Sequence, residues 1–456
     1  MTIRSASAAL SALVAMSFAF AAEDDVATSR ASQLEDLAVV RDQYLPKEMA
    51  YVPATRALAK LQLDKLEHDA GSLSATQFAV ELAKLGALTD NAHSGLRLFD
   101  PRVQPKARLP LHLLWLSDGL IVARATGEAS DLAGARVLAI EGLSPQSLYE
   151  GSKVLLGGDE AARKHWLNNW IEAAGVLHAL GLAKSPDKLA FKLRLADGRE
   201  VERTVDMVPA KDLAPTAEIA RLWSPEPVKD ERDWKAALDT GGLPLYLRDA
   251  NRPFRAIALE KLDALYVQFR SNEDEDGVSI KAFVEEVRAT IARAHPKNLI
   301  VDLRFDVGGN LLTTLDFMRQ AASLVERRTY VLVGPLTFSA GIISAAAIKK
   351  HGAEKVTFVG EPVGDRVHFW SEGALIELPN SHLSFRYADG QFNLQDGCTG
   401  EPGCMDDRYH IDVNGVSLDP DMPARLDAAA YFAKRDPAMD AVEKAIAAGS
   451  RKTHRR

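Results

Sequence analysis

Cysteine is scarce in this chain, and long apolar runs are missing after its first residues. Only two cysteines, Cys398 and Cys404, occur among 456 residues, which excludes a disulfide-rich scaffold. A zinc site would need further ligands beside this pair. No later stretch is apolar over the roughly 20 residues that a membrane-spanning helix needs, so we expect no transmembrane segment.

Positive charge is also sparse. The chain has 55 Lys and Arg residues against 63 Asp and Glu residues, a net charge of −8. Its basic residues cluster only in the short tail that ends at Arg456. Proteins that bind nucleic acid usually present a basic surface, so we expect no nucleic-acid partner. Residues 446–456 are interpreted as a solvated basic tail.

The first residues indicate export. Arg4 supplies a positive charge, an Ala-rich apolar run extends from about Ala8 to Ala22, and Ala19-Phe20-Ala21 fits the small-x-small cleavage rule. We interpret residues 1–21 as a secretory signal peptide that directs the protein to a periplasm or out of the cell. A buried N-terminal helix is the alternative interpretation.

The two cysteines lie close together in one Gly-rich loop, between Gly397 and Cys404. Export would place them in an oxidising compartment, where such a pair forms a disulfide. We therefore predict a Cys398–Cys404 bridge.

The remaining chain divides into segments of different character. A capping box is predicted at Ser74 and Gln77, ahead of apolar residues at helical spacing. Strands predicted at 264–269, 298–303 and 329–333 alternate with helices at 280–294 and 311–325, which is typical of a largely parallel, helix-covered sheet in an α/β fold. The segments are an N-terminal helical region (22–107), a strand-rich module with a helical insertion (108–210), a linker rich in proline and charge (211–255) and the alternating α/β segment (256–445).

Two turns that follow predicted strands could carry chemistry. Gly308 and Gly309 end one strand, and their N–H groups could bind an oxyanion, although a plain tight turn is the alternative. Ser339 lies between a strand and a small-residue helix, where its hydroxyl could act as a nucleophile. A helix N-cap is the alternative for Ser339.

A serine hydroxyl needs a base, usually a histidine, before it can attack a carbonyl. The chain has 11 histidines, and His93 lies in a turn that closes the N-terminal helical region. Chemistry alone does not distinguish His93 from a histidine in a surface turn.

The order of these stretches resembles the family of C-terminal processing (tail-specific) and tricorn-core serine peptidases. That family has a Leu-x-Asp-Gly-His-Thr turn, a strand ending Asp-Leu-Arg-x-Asn-x-Gly-Gly-Asn and a Thr-x-Ser-Ala nucleophile turn. The matching stretches, with later Gly-Glu, Leu-Pro-Asn-Ser, Pro-Asp and Asp-Pro motifs, are Leu88–Ser94, Asp302–Asn310, Thr337–Ala340, Gly360–Gly364, Leu378–Ser381, Asp419–Asp421 and Arg435–Pro437.

The resemblance implies a fold and a mechanism. The fold would be a crotonase-like (ClpP-like) αβ core joined to an atypical PDZ-like module, which Leu132–Gly142 resembles. The enzyme would hydrolyse peptides or proteins without a metal or other cofactor. Ser339 would be the nucleophile and His93 the base, and the oxyanion would be held by N–H groups of Gly308, Gly309 and Ala340.

The sequence departs from the family at the other catalytic positions. No lysine follows the Gly-Glu turn, where Gly364-Asp365-Arg366-Val367 stands, so the chain resembles the His-dependent branch rather than the Ser–Lys branch. The Glu that this branch places before its Pro-Asp motif is also missing. We expect Asp412 in that role, with Asn414, Glu372 or no acid as alternatives. A catalytically inactive protein that binds a peptide or a hydrophobic ligand is the alternative function.

Overall fold

The computed structural model describes residues 29–97, 107–213, 219–228, 231, 233–275 and 277–453. The predicted signal peptide and the end of the basic tail lie outside these residues. Within them, no helix is both long enough and apolar enough to cross a membrane.

The N-terminal region is helical, as predicted, and its capping box is present. The Ser74 hydroxyl accepts the Gln77 N–H, and the Gln77 side chain accepts the Ser74 N–H at 3.0 Å. A π-helical turn, Val40–Tyr44, joins the first two helices. The elements are α1 (Arg30–Val39), α2 (Leu45–Lys47), α3 (Pro53–Asp69), α4 (Ala75–Ala87) and β1 (Gly95–Arg97).

The middle of the chain forms a mainly antiparallel sheet with a helical insertion between β5 and β6. The strands β3-β4-β5-β6-β7 are neighbours in that order, β9 adds to β4, and β2 pairs with β8. The strands are β2 (Ala107–Arg108), β3 (Leu111–Leu116), β4 (Gly119–Ala125), β5 (Arg136–Ile140), β6 (Lys188–Arg194), β7 (Glu200–Asp206), β8 (Val208–Pro209) and β9 (Lys235–Ala236). The helices are α5 (Pro145–Ser152), α6 (Glu160–Trp166), α7 (Asn168–Ile171), α8 (Ala174–Ala179) and α9 (Ile219–Leu222).

The C-terminal segment forms the predicted mostly parallel sheet. Its order is β10-β11-β12-β13-β14-β19, in which only β10 runs antiparallel to its neighbour. The strands are β10 (Phe254–Leu259), β11 (Ala264–Phe269), β12 (Asn298–Asp302), β13 (Arg328–Val333), β14 (Val356–Gly360), β15 (His368–Ser371), β16 (Leu375–Glu377), β17 (Ser384–Arg386), β18 (Gly390–Asn393) and β19 (Met422–Pro423).

Helices cover this sheet, and smaller sheets extend it. The α-helices are α10 (Ile280–Ala294), α11 (Leu315–Gln320), α12 (Ala340–Gly352), α13 (Met405–Tyr409), α14 (Ala428–Phe432) and α15 (Pro437–Thr453). Short 3₁₀ helices lie at Gly127–Leu132, Lys153–Leu155, Ala210–Asp212, Leu245–Leu247, Glu260–Leu262, Leu311–Thr313, Ala321–Leu324 and Ala353–Lys355. Strand β1 joins the three-stranded sheet β1-β17-β16, and β15 pairs with β18. The N-terminal region is therefore tied to the C-terminal segment by backbone pairing.

One predicted helix is broken in the structure. The stretch 311–325 contains only the six-residue α11 between two 3₁₀ helices. The Thr313 hydroxyl donates to the backbone oxygen of Asn272 at 2.7 Å. The Thr314 hydroxyl donates to Oδ1 of the same residue at 2.6 Å. Because threonine hydroxyls compete with helical hydrogen bonds, these contacts explain why the helix starts late.

The predicted Cys398–Cys404 disulfide is present. Cys404 forms a β-bridge with Gln391 of strand β18. Because β18 pairs with β15, the disulfide braces this two-stranded sheet rather than an isolated surface loop.

A buried ion network fixes the end of β12 to the C-terminal helix. Arg304 pairs with Asp302 at 2.7 Å and with Asp436, just before α15, at 2.8 Å. The Arg304 side chain is 12% exposed and the Asp302 side chain is fully buried. Removing one partner of such a network leaves buried charge uncompensated.

Replacing Arg304 by Met should therefore lower the free energy of unfolding by about 3–5 kcal/mol, because Asp302 and Asp436 lose their cation. Urea denaturation followed by circular dichroism measures this effect. Arg199→Met is the control, since the Arg199–Asp197 pair is exposed and screened by solvent. Equal midpoints for the two variants would contradict this account of the network.

Candidate active site

Ser339 occupies a strained turn between β13 and α12. Its backbone has φ 52° and ψ −123°, and its side chain forms no capping hydrogen bond with the helix. The hydroxyl is therefore not used as a helix cap. A non-glycine residue with positive φ costs of order 1–3 kcal/mol and persists only where the surrounding structure imposes it.

Hydrogen bonds from Thr337 and Phe338 impose this conformation. The Thr337 hydroxyl donates to the Leu303 carbonyl at 2.8 Å and accepts the Gly334 N–H at 3.0 Å. The Phe338 N–H donates to the Asp306 carbonyl at 2.9 Å. These bonds anchor the turn Thr337–Ala340, which carries Ser339, to the end of the neighbouring strand, β12.

The predicted oxyanion turn lies directly against Ser339. Gly308 and Gly309 have φ values of 104° and 129°, which favour glycine. A Cβ atom on Gly308 would lie 2.6 Å from the Ser339 Cβ, so only glycine allows this approach. Glycine is therefore required at Gly308 both for its backbone angle and for contact with the serine.

The N–H groups of this turn have different partners. Gly308 donates to Asp306 Oδ1 at 3.1 Å. The N–H groups of Gly309 and Ala340 donate no hydrogen bond to any residue that the structure describes. Gly309 and Ala340 therefore have free donors, whereas the donor of Gly308 is occupied.

His93 is buried beside the turn that carries Ser339. Its ring stacks on Phe338 with centroids 4.3 Å apart and on Phe369 of β15 at 5.2 Å. Phe338 immediately precedes Ser339, so the stack brings the histidine next to this turn although the two stacked residues lie 245 positions apart in sequence. Neither ring nitrogen of His93 has a hydrogen-bond partner in the described part of the chain.

Contacts from two other segments hold the turn that carries His93. The Asn91 side chain accepts the Trp370 N–H at 3.1 Å. Gly157 and Gly158, just before α6, pack so closely that added Cβ atoms would lie 2.4 Å from the Asn91 nitrogen and 2.7 Å from the Ala92 Cβ. The middle module thus helps to position the histidine.

Asp365 is the carboxylate that the structure brings to His93. Its Oδ2 lies 3.6 Å from His93 Nδ1, and both side chains are almost fully buried. The other oxygen accepts the Arg366 N–H at 2.8 Å. Asp365 directly follows the Gly360–Gly364 turn, where the Ser–Lys branch of the family has its lysine. A carboxylate at this position is the feature of the sequence that could have indicated Asp365.

The acids expected from sequence lie elsewhere. Asp412 is exposed in a left-handed turn, and its N–H donates to Asp406 Oδ1 at 2.8 Å. The backbone oxygen of Asn414 accepts a hydrogen bond from the Lys350 ammonium group at 2.8 Å. Glu372 is half-buried against Gly390. The carboxylate that lies beside the His93 ring is that of Asp365, and not that of Asp412 or Glu372.

An apolar cluster covers the turn that carries Ser339. Trp166 of α6 packs edge-on against Phe338 with centroids 5.5 Å apart, and Ala92 and Ala162 complete the cluster. The helical insertion of the middle module therefore lies over the residue next to Ser339.

Solved structures of CPAF share the overall fold of this chain. The structure of mature CPAF complexed with lactacystin matches with a TM-score of 0.55 and 13% identity, over 91% of this chain and 98% of that chain. A serine-to-alanine mutant of CPAF matches with a TM-score of 0.52 and 12% identity, over 89% and 95% of the two chains. No family model and no curated protein matches the sequence. The predicted resemblance to tail-specific peptidases is confirmed at the level of the fold, which this chain shares with CPAF.

Burial lowers the pKa of His93 below its usual 6.5, and the Asp365 carboxylate only partly opposes this effect. The ring should therefore be neutral at pH 7 and gain its proton only below pH 6.5. The ring-proton resonance of His93, followed by NMR from pH 4 to 8, measures this titration.

Phe369→Leu should move the midpoint of that titration toward 6.5, because water then reaches the ring. Phe283→Leu is the control, since Phe283 packs on Phe254 and Phe269, away from the histidine. A midpoint above 6.5 in the parent protein would contradict this interpretation of the site.

Proposed function

We propose that this protein is a serine peptidase in which Ser339 is the nucleophile, His93 the general base and Asp365 the acid that orients the base. The proposal is carried by one observation: the residue before a strained serine stacks on a buried histidine whose Nδ1 edge faces a buried carboxylate. Asp365 takes the role that the sequence suggested for Asp412.

The first step would be attack of the Ser339 oxygen on a peptide carbonyl carbon. His93 Nε2, which has no hydrogen-bond partner in the described chain, would accept the hydroxyl proton. Asp365 would hold the proton on Nδ1 and stabilise the imidazolium that forms. A neutral histidine at pH 7 suits a group that must accept a proton.

The tetrahedral intermediate would place its oxyanion at the free N–H groups of Gly309 and Ala340. Each such donor contributes about 3 kcal/mol to acyl transfer in serine peptidases. Cleavage of the carbon–nitrogen bond would pass the proton from His93 to the leaving amine. Water would then hydrolyse the acyl ester on Ser339 by the same proton transfers in reverse, without a metal or other cofactor.

The architecture is consistent with this proposal. We interpret the C-terminal segment as a crotonase-like core, because strands β11 to β14 are parallel and helix α12 begins at the nucleophile. The antiparallel module of β3 to β7 is interpreted as PDZ-like. The helical insertion of this module contributes α6 to the site, through Trp166 and Ala162. A module that only binds peptides would not need such a contribution.

We also propose that the protein is exported. The Cys398–Cys404 disulfide is stable in the oxidising compartments that exported proteins reach. The substrate would then be a peptide or protein outside the cytoplasm.

A second candidate function is non-catalytic binding of a peptide or hydrophobic ligand. It is favoured by the cluster of Trp166, Phe338, Ala92 and Ala162, which places apolar surface over the nucleophile turn. A protein of this kind would not react with serine-directed reagents.

A fluorophosphonate probe should label the purified protein, and Ser339→Ala should abolish the labelling. Asp365→Asn should lower the rate of labelling by up to about 10⁴-fold, because the histidine loses the acceptor that selects its tautomer. In-gel fluorescence over time measures these rates.

Asp412→Asn is the matched control, since it removes the same charge from an exposed position, and it should react at the parent rate. Labelling that persists in Ser339→Ala would exclude Ser339 as the nucleophile. Absence of labelling in the parent protein would favour the binding function.

A further inference from the structure

We propose that Asp306 controls the oxyanion site through its charge and that reaction at Ser339 requires the protonated form of this residue. The inference rests on the proposed function, because it concerns the oxyanion formed during attack by Ser339. Asp306 stands where the tail-specific motif Asp-Leu-Arg-x-Asn-x-Gly-Gly-Asn has its first asparagine, so the chain has a carboxyl group in place of a neutral amide.

Asp306 is fully buried between the two backbone segments of the oxyanion site. Its Oδ1 accepts the Gly308 N–H at 3.1 Å, and its backbone oxygen accepts the Phe338 N–H at 2.9 Å. Gly341 of α12 lies so close that an added Cβ would be 2.3 Å from the backbone oxygen of Asp306 and 3.1 Å from its carboxyl carbon. The carboxyl group therefore lies directly behind the oxyanion turn and the start of the nucleophile helix.

Asn272 holds the carboxyl group in place. Its Nδ2 donates to both Asp306 oxygens, at 2.7 and 2.9 Å. Its Oδ1 accepts the hydroxyls of Thr314 and Ser344, at 2.6 and 3.3 Å. The ionised Asp306 carboxylate can only accept hydrogen bonds, whereas the two hydroxyls can donate or accept, so it is the carboxylate that orients the amide with its NH₂ group toward Asp306.

No cation compensates the charge of Asp306 among the residues that the structure describes. The elements packed around it contribute Asn272, Thr314, Gly341 and Ser344, none of which titrates near neutral pH. Glu273, an acidic neighbour of the turn, is exposed and packs its Cγ against Gly309. Burial raises the pKa of Asp306 to about 7, against the opposing effect of the Gly308 and Asn272 donors.

The two charge states have opposite effects on the oxyanion. The ionised carboxylate holds the Gly308 N–H and places a negative charge behind the site where a second negative charge must develop. Like charges at short range in a buried site repel strongly. The protonated carboxyl group is neutral and a weaker acceptor, so it removes the repulsion and frees Gly308 to join Gly309 and Ala340 as a donor.

The test is the fluorophosphonate labelling rate from pH 5 to 9.5. In the parent protein the rate should fall as the pH rises through about 7, by about tenfold per pH unit for a single ionisation. Asp306→Asn, which is neutral and the same size, should keep its neutral-pH rate up to pH 9. Glu273→Gln, the matched control for a nearby carboxylate, should keep the alkaline decline.

Two results would overturn the proposal. One is a parent rate that stays flat from pH 6 to 9. The other is the same alkaline decline in Asp306→Asn as in the parent. A residue with only a structural role would lower the rate at every pH and leave the shape of the profile unchanged. If Asp306→Asn does not fold, Asp306→Ser, which is also neutral, replaces it.

A second measurement separates this inference from the proposed function. Because the pKa of Asp306 is raised from 3.8 to about 7 in the folded protein, the folded state holds the proton more tightly, and stability should decline as the pH rises between these values. In the Ser339→Ala background, the urea midpoint should fall more between pH 5 and 8 with Asp306 present than with Asp306→Asn. Equal falls would overturn the inference, whereas loss of Ser339 labelling alone would count only against the peptidase function.

Discussion

The stack of His93 on Phe338 and Phe369 is the contact on which the candidate site depends. His93 comes from the N-terminal region, Phe338 from the turn that carries Ser339 and Phe369 from the β15–β18 pair. Aromatic stacking is geometrically specific, so this contact sets the position of one segment relative to the other two. Burial in the stack also lowers the pKa of the histidine, which keeps its ring neutral at pH 7.

A few side chains make the buried hydrogen bonds around Ser339. The Thr337 hydroxyl binds the Leu303 carbonyl, and Asn272 connects Asp306, Thr314 and Ser344. Buried polar groups are costly unless they are paired, so each of these contacts restricts the backbone around Ser339. The glycine at position 308 then allows the oxyanion turn to approach the serine more closely than any side chain would permit.

The middle module takes part in the site as well as covering it. Its Gly157 and Gly158 contact the turn that carries His93, and its Trp166 contacts Phe338. A shift of this module would therefore change both the support of the histidine and the access to Ser339. Trp170 of the same insertion, 4% exposed, belongs instead to the hydrophobic core.

Local signals in the sequence determined the capping box at Ser74, the strand 264–269, the helix 280–294 and the disulfide, because each depends on neighbouring residues. The alternation of predicted strands and helices also indicated the mostly parallel, helix-covered sheet of the C-terminal segment. Two features were decided only by the tertiary structure. The helix predicted at 311–325 is broken because Asn272, about 40 residues away, captures two threonine hydroxyls. The carboxylate beside His93 is that of Asp365 rather than Asp412. His93 and Asp365 lie 272 residues apart in sequence, and their meeting depends on how the β15–β18 pair, the turn that carries Ser339 and the N-terminal region pack. No local pattern encodes that packing.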